Sequence, residues 1–326
     1  MRVVSDNPTV PVARARYLDG ILLALLGAAL AVQLLVPPVV GLADNGDFSR
    51  VAGPLGIFPP EDLGDTAFFS WIVPRYRFDP SRIWLHGLCC YSSQTLLGVA
   101  SLPVGLALSP PGRFDLRATG IVNGLALLTA VGWLLCGLRP LPFRLRILGG
   151  LLLFVVFSDV TYVSLLNSFY TEPAALVFLL AAVALALLLA RTPNSPPWLA
   201  ASFFLVSALF ATSRPQNALL GFFLALLGWR LVRYDRDRRS RRRLALVAAL
   251  LLCVVSLAYS RSTPRLLRRI YLFNAVFRVL LPNSPDPRGD LAELGLSPDF
   301  VRLVGVSGFS PEAPVEDETF QRVFGK

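Results

Sequence analysis

Charge is scarce in this sequence. Only 16% of its 326 residues are Asp, Glu, Lys or Arg, where a soluble domain carries about 25%. With 54% apolar residues and a mean hydropathy of +0.60, that shortage excludes an ordinary soluble enzyme and a disordered chain. Lysine is almost missing: Lys326 is the one lysine among 31 basic residues. Histidine occurs once, as His86 beside Trp84, so no zinc-ligand spacing exists. The four cysteines exclude a secreted disulfide scaffold, because Cys89 and Cys90 are adjacent while Cys136 and Cys253 sit in apolar blocks.

What is present is long apolar blocks. They run from Leu18 to Val40, then Ala118–Leu138, Ile147–Leu166, Ala174–Ala190, Trp198–Thr212, Asn217–Leu231 and Leu244–Tyr259. A bilayer-spanning helix needs about 20 such residues, and only a helix or a closed barrel satisfies its backbone in lipid. The pattern therefore predicts an all-α polytopic transmembrane helical bundle of about seven spans. The first block is too long for a signal-peptide core and lacks a cleavage site after it, so it reads as an uncleaved span.

The formal charge of +10 is concentrated rather than spread. Between Arg230 and Arg243 there are eight arginines and two aspartates, a net +6. Such a run between apolar blocks is a cytoplasmic topology signal rather than a nucleic-acid groove. With seven spans, Arg14/Arg16, Arg139/Arg144/Arg146, Arg191 and the 233–243 run all fall inside, and the N-terminus is cytoplasmic. The block Ser92–Leu108, which holds Pro103, then lies at the interface or packs on the bundle. Eight spans with an external N-terminus are the alternative.

The seven-span arrangement makes residues 41–117 a long external loop with interfacial helices, in which Glu61, Asp62, Asp65 and Asp79 solvate the chain. Residues 1–260 form the transmembrane module and 261–326 an external tail. The tail opens on Leu266, Leu267, Ile270, Phe273, Phe277 and Leu280, interleaved with Arg265, Arg268, Arg269 and Arg278, which reads as a helix lying in the membrane interface.

Polar residues then converge on the external side in four clusters: Asp44-Asn45-Gly46-Asp47, Asn167 to Pro173, Thr212 to Asn217, and Asn283 to Asp286. Acids, amides and an arginine at the mouth of a bundle are what a membrane-embedded active site needs. Asp44 and Asp47 could take a proton from a hydroxyl or bind a divalent metal; an Asn-Gly turn in a solvated loop explains them as well. Glu172 could join them, or could simply begin a helix ahead of Pro173. Asp159, inside the third block, costs about 2.5–3.5 kcal/mol in a membrane, which predicts that it faces the bundle interior or a wet cavity. Arg214 suits a phosphate or a lipid headgroup equally.

The first-loop acids, the long external loop and a second acid at the next external turn resemble the GT-C glycosyltransferases. The segments Asp44-Asn45-Gly46-Asp47-Phe48, Asn167-Ser168-Phe169-Tyr170-Thr171-Glu172-Pro173 and Asn283-Ser284-Pro285-Asp286 look like those of bacterial hexose transferases of surface-glycan biosynthesis. The resemblance implies a multi-pass cell-membrane enzyme taking a hexose from a polyprenyl-phosphate donor to a glycan acceptor, with no nucleic-acid partner. Asp47, then Asp44 or Glu172, would be catalytic. Asn45, Asp159, Asn167, Tyr170, Arg214 and Asn217 would hold substrate. Two departures stand: the family usually has more spans, so the chain resembles a truncated member, and no tight Asp-x-Asp pair settles metal dependence. A lipid-linked glycan transporter or flippase and a non-catalytic membrane subunit are the rival readings; the repeat symmetry common in transporters is missing.

Overall fold

Helix boundaries follow the punctuation in the sequence. The computed structural model describes residues 12–60, 72–83, 92–192, 195–233, 239–262, 265–310 and 312–315. Glu61, Asp62, Asp65, Trp84, His86, Cys89, Cys90 and residues 234–238 of the arginine-rich connection lie outside them. The chain divides into two compact units, Met1–Arg261 and Ser262–Lys326.

In the first unit the helices are α1 (Val12–Leu35), α2 (Ser49–Ala52), α3 (Gln94–Ala107), α4 (Arg117–Leu138), α5 (Phe143–Ser158), α6 (Val160–Leu166), α7 (Glu172–Arg191), α8 (Pro197–Ala211), α9 (Ala218–Arg233) and α10 (Arg239–Arg261). Pro142, Pro173, Pro197 and Pro215 open helices or turns where a missing N–H costs nothing. Among the described residues, α1, α4, α7 and α10 are each long and apolar enough to cross a membrane, and α5 with α6, bent by 60°, makes a fifth if the pair is one span, against the seven expected. Helices α8 and α9, with 15 and 16 residues, are about 22–24 Å long but run between the same two ends as the others. The bundle is thus a membrane-embedded all-α assembly, as the apolar blocks predict.

The two ends are chemically distinct. At one, Asp19 of α1 is buried and binds both Arg139 (2.9 Å) and Arg146, the second of these also buried. Arg191 at the end of α7 donates to the Gly137 carbonyl, and Arg241 of α10 donates to the Ser195 carbonyl at 2.8 Å. At the other end lie the close of α1, the first turns of α4 and α7, and the α8–α9 turn. Gly221 of α9 faces Ser256 of α10 and Ala211 of α8 there, so α10 ends at this side too.

Helix α3 does not cross. Its first residue, Gln94, bonds Asn123 of α4, and near its close Gly105 packs on Phe114, just ahead of α4. Both its ends therefore belong to the same end of the bundle, which accounts for its 14 residues and internal Pro103. The loop that holds it also contains a small antiparallel sheet, which the sequence analysis did not predict. Its order is β1 (Ile57–Phe58), β2 (Arg75–Phe78), β3 (Arg113–Asp115), with Ile57 opposite Phe78 and Tyr76 opposite Phe114.

Packing within the bundle rests on small residues. Helices α4 and α7 meet where Gly137 faces Leu187 and Ala184 and where Ala130 shares a core with Ala181 and Ala182, while Gly120 and Gly124 of α4 face Leu34 of α1. Lipid tails offer no hydrophobic advantage to helix association, so close backbone approach supplies the attraction instead.

The second unit comprises α11 (Arg265–Asn274), a π-helical continuation Ala275–Leu280, and α12 (Pro287–Glu293). Its own core gathers Ile270, Phe273 and Phe277 with Leu281, Leu291, Leu296 and Leu303. Phe273 and Phe277 stack with ring centroids 4.4 Å apart. Half of the apolar stripe expected to lie on a membrane is thus covered by the chain itself.

Replacing Asp19 with Asn removes the carboxylate that two guanidiniums share. Breaking a buried ion pair from one side costs about 3–5 kcal/mol, so Asp19→Asn should lower the unfolding midpoint in detergent clearly. Arg139→Ala should do less, because that side chain is 34% exposed. An unchanged midpoint for Asp19→Asn would remove the triad as a stabilising element.

Candidate functional site

The site is built on a turn that folds back on itself. Asp44 accepts from the backbone N–H groups of Gly46 (2.7 Å) and Phe48 (3.1 Å), and Asn45 accepts from that of Asp47 (3.1 Å). Short Asx side chains favour such local closure, and Gly46 supplies the positive φ of 95° that the turn requires. The segment is therefore a turn, not a helix. It buries Asp44 and leaves Asp47 half exposed, 3.1 Å from Arg50.

Phe48 anchors the turn. Its ring lies edge-on to Phe169 (5.7 Å) and Tyr170 (4.7 Å) and tilted to Tyr76 (6.4 Å). Phe114 and Tyr76 close the cluster from the sheet, each against Phe169. Aromatic pairs of this kind contribute about 0.5–1.5 kcal/mol each beyond burial. The sheet thus fixes the first loop against the turn between α6 and α7.

Tyr170 stands at the centre. Its hydroxyl donates to the Ala43 carbonyl at 2.8 Å. Burial pushes that hydroxyl up to about 12; the Asn45 N–H opposes the shift, while the charges of Asp44, Asp47 and Glu172 add to it. Burial also raises the Asp44 carboxyl, against the pull of its two backbone N–H partners. Glu172, the first residue of α7, holds Arg214 at 2.8 Å across the bundle mouth, with both side chains about one-third exposed. Tyr170 thus joins the Asp44–Asp47 turn, through Ala43 and Phe48, to the head of α7, where Glu172 holds Arg214.

Other expected residues have different positions. Asn167 is fully buried and donates to the carbonyls of Leu34 (3.0 Å) and Val40 (2.8 Å). It is a strut between α1 and the α6–α7 turn, with no exposed surface. Gly120 is required beside it, since a Cβ there would overlap the Asn167 side-chain oxygen. Asp159 does not face the interior. It is exposed and caps α6 by accepting from Thr161 N–H at 2.8 Å, because the helix breaks at that residue. Asn217 donates to Ser213 Oγ at 2.9 Å and steadies the Arg214 turn. Asp44, with its Oδ1 turned to the loop backbone, does not fit an acid that meets an incoming hydroxyl.

Residues passed over in the sequence analysis hold these pieces together. Gln94 is fully buried; it accepts from Ala174 N–H at the start of α7 (2.9 Å) and donates to Asn123 (3.2 Å), which in turn donates to the Leu166 carbonyl (2.9 Å). Ser92 Oγ and Ser93 N–H bond the carbonyls of Ser213 (2.6 Å) and Thr212 (3.1 Å). Asp115, fully buried, grips Arg117 with contacts of 2.6 to 3.1 Å. The signal was available: polar residues within apolar blocks are rare unless they have a task.

Asp44 serves backbone donors and Asp47 an arginine, and among the described residues no three His, Cys, Asp or Glu side chains come together as a ligand set. What the mouth offers is one accessible carboxylate, a phenol, a Glu–Arg pair and an amide, a set suited to polyols and phosphate.

Residues 13–325 match the family described as the YfdI N-terminal transmembrane domain. The chain belongs to that family. No curated protein and no solved structure matches it. For this member of the YfdI N-terminal domain family, the match spans both units, and so includes the turn of Asp47, the start of α7 and the Arg214 turn.

Asp44 gives a pH-dependent test. Its folded pKa lies above the ordinary 3.8, so the folded chain holds that proton more tightly than the unfolded one. Its contribution to stability is therefore greatest at low pH and falls as pH rises from 3.8 through the raised value. Asp44→Asn keeps the acceptor and should flatten that part of the profile. Asp44→Ala leaves the Gly46 and Phe48 N–H groups without their acceptor and should cost about 1–3 kcal/mol. Unfolding in detergent across the acid range reads both; a profile identical to wild type in Asp44→Asn would contradict the assignment.

Proposed function

We propose that this chain is a GT-C-type membrane glycosyltransferase module, transferring a hexose from a polyprenyl-phosphate donor to a cell-surface glycan acceptor on the non-cytoplasmic face. The observation that supports the reading is that Tyr170 touches the turn that carries Asp47 while Glu172, two residues on, holds Arg214, at the end of the bundle opposite Arg241. A membrane-embedded chain is suited to a donor whose lipid lies along apolar helices while its headgroup reaches the mouth.

Asp47 takes the proton of the acceptor hydroxyl. The freed oxygen attacks the anomeric carbon, and the bond from that carbon to the donor phosphate oxygen breaks. The electron pair leaves with the phosphate, whose charge Arg214 meets. A guanidinium has five donors in a fixed fork, so Arg214 can keep Glu172 on one edge and present the other. Glu172 and Tyr170 orient sugar hydroxyls, and the exposed edge of Asn45 does the same. Asn167 and Asn217 act only by holding the turns in place.

Asp47→Asn preserves size and hydrogen bonding but cannot accept the proton; loss of a general base costs about 10²–10⁴-fold in rate. Arg214→Ala should instead weaken donor binding first, raising KM for the polyprenyl-phosphate sugar more than it lowers kcat. Transfer of labelled hexose by purified active protein measures both. Wild-type transfer by Asp47→Asn would eliminate Asp47 as the base, and no transfer by the wild type from any polyprenyl-phosphate hexose would eliminate the enzyme reading.

Sidedness is a separate expectation. In a cysteine-free background, a membrane-impermeant thiol reagent added to intact cells should label position 47 and not position 241. The reverse pattern would overturn the external placement of the site.

A further inference from the structure

The stretch expected to lie on the membrane presents a different face from the expected one. In α11 and its π-helical continuation, Ile270, Phe273, Val276 and Phe277 are committed to the core of the second unit. That leaves a second apolar ridge on the outside. Leu272 is 43% exposed, Val279 and Leu280 are each 61% exposed, and Tyr271 is 41% exposed. A helix whose inner stripe is already covered by its own chain has no structural use for a second such stripe in water.

The charge on this outer face has one sign. Residues 265–280 include four arginines and no acid, and Arg265, Arg268 and Arg278 are exposed among the apolar side chains. Leucine, valine and tyrosine interleaved with arginine are the residues that enter a headgroup layer: the apolar tips reach the acyl boundary while the guanidiniums stay with phosphates. The covalent connection adds an independent argument. Helix α10 is long and apolar enough to cross the membrane and ends at Arg261, and only residues 262–264 precede α11.

We propose that the outer face of residues 265–280, formed by Leu272, Val279 and Leu280 with Arg265, Arg268 and Arg278, docks on a bilayer surface bearing anionic phospholipid. The second unit is then a membrane-surface module held by its first helix, with its acids on later elements, such as Asp290 and Glu293 of α12. This inference is independent of the proposed transferase activity, since it needs neither a donor nor a reaction.

The test uses the full chain in proteoliposomes, with an environment-sensitive fluorophore on single cysteines at Leu272, Val279 or Glu293 in a cysteine-free background. The membranes are phosphatidylcholine alone or mixed with phosphatidylglycerol. Positions 272 and 279 should be quenched by lipid-borne nitroxide and shielded from iodide, whereas 293 should show the opposite. The lipid quenching should increase with phosphatidylglycerol, since each arginine at an anionic surface is worth about fivefold in binding. Arg265→Glu with Arg278→Glu should remove that increase. Iodide quenching at 272 and 279 equal to that at 293 would overturn the proposal by placing the face in water. Shielding from both quenchers would overturn it by showing that protein covers the face. Lipid quenching with no dependence on phosphatidylglycerol would overturn the anionic specificity.

Discussion

The site depends on an amide with no exposed surface. Asn167 sits in a fully buried position and ties the α6–α7 turn to the last carbonyls of α1 and to Val40 of the first loop. In a membrane bundle such carbonyls have no water to turn to, so an internal donor determines where the chain can go. Once that turn is pinned, Phe169 and Tyr170 fall against Phe48, and Glu172 emerges at the head of α7 facing Arg214. Gln94 repeats the device one helix away, capping α7 through Ala174 while binding Asn123 of α4. The accessible groups are few, and most of the polar side chains at this end serve to locate them.

The two ends of the bundle divide labour by chemistry. One gathers guanidiniums over helix C-terminal carbonyls and around Asp19, where positive charge complements the helix dipoles. The other gathers acids, amides and hydroxyls. The separation runs the length of α1, α4 and α7, each of which has one terminus in each set. Arginines occur at the second end as well, but there they stand beside acids, Arg50 with Asp47, Arg117 with Asp115 and Arg214 with Glu172.

Much of this was legible from the residues alone. Apolar blocks marked the helices because a membrane tolerates few alternatives, and the polar clusters at 44–47, 167–173 and 212–217 do come together. The small sheet was not legible, since strands of two to four residues show no alternation long enough to read. Asn167 and Asp159 were misjudged for one reason: a polar residue near a membrane draws attention as a ligand, whereas one serves the backbone from inside and the other from an exposed helix break. Pattern also could not tell that Ile270, Phe273 and Phe277 of the α11 stripe are taken up by the second unit's own core. Periodicity shows that a helix has an apolar side, but what covers that side depends on residues 287–315, which local spacing cannot report.

The Asp19 triad also has a consequence for how the chain is made. Its carboxylate belongs to the first helix, while its partners stand 120 and 127 residues later. At a synthesis rate of about 5–20 residues per second, those partners arrive roughly 6–25 s after Asp19. During that interval the Asp19 carboxylate is without the two guanidiniums that it holds in the folded bundle. Arrival of the α4–α5 hairpin ends the wait and fixes the depth of the first helix. The order of translation therefore makes that hairpin the event that sets the bundle.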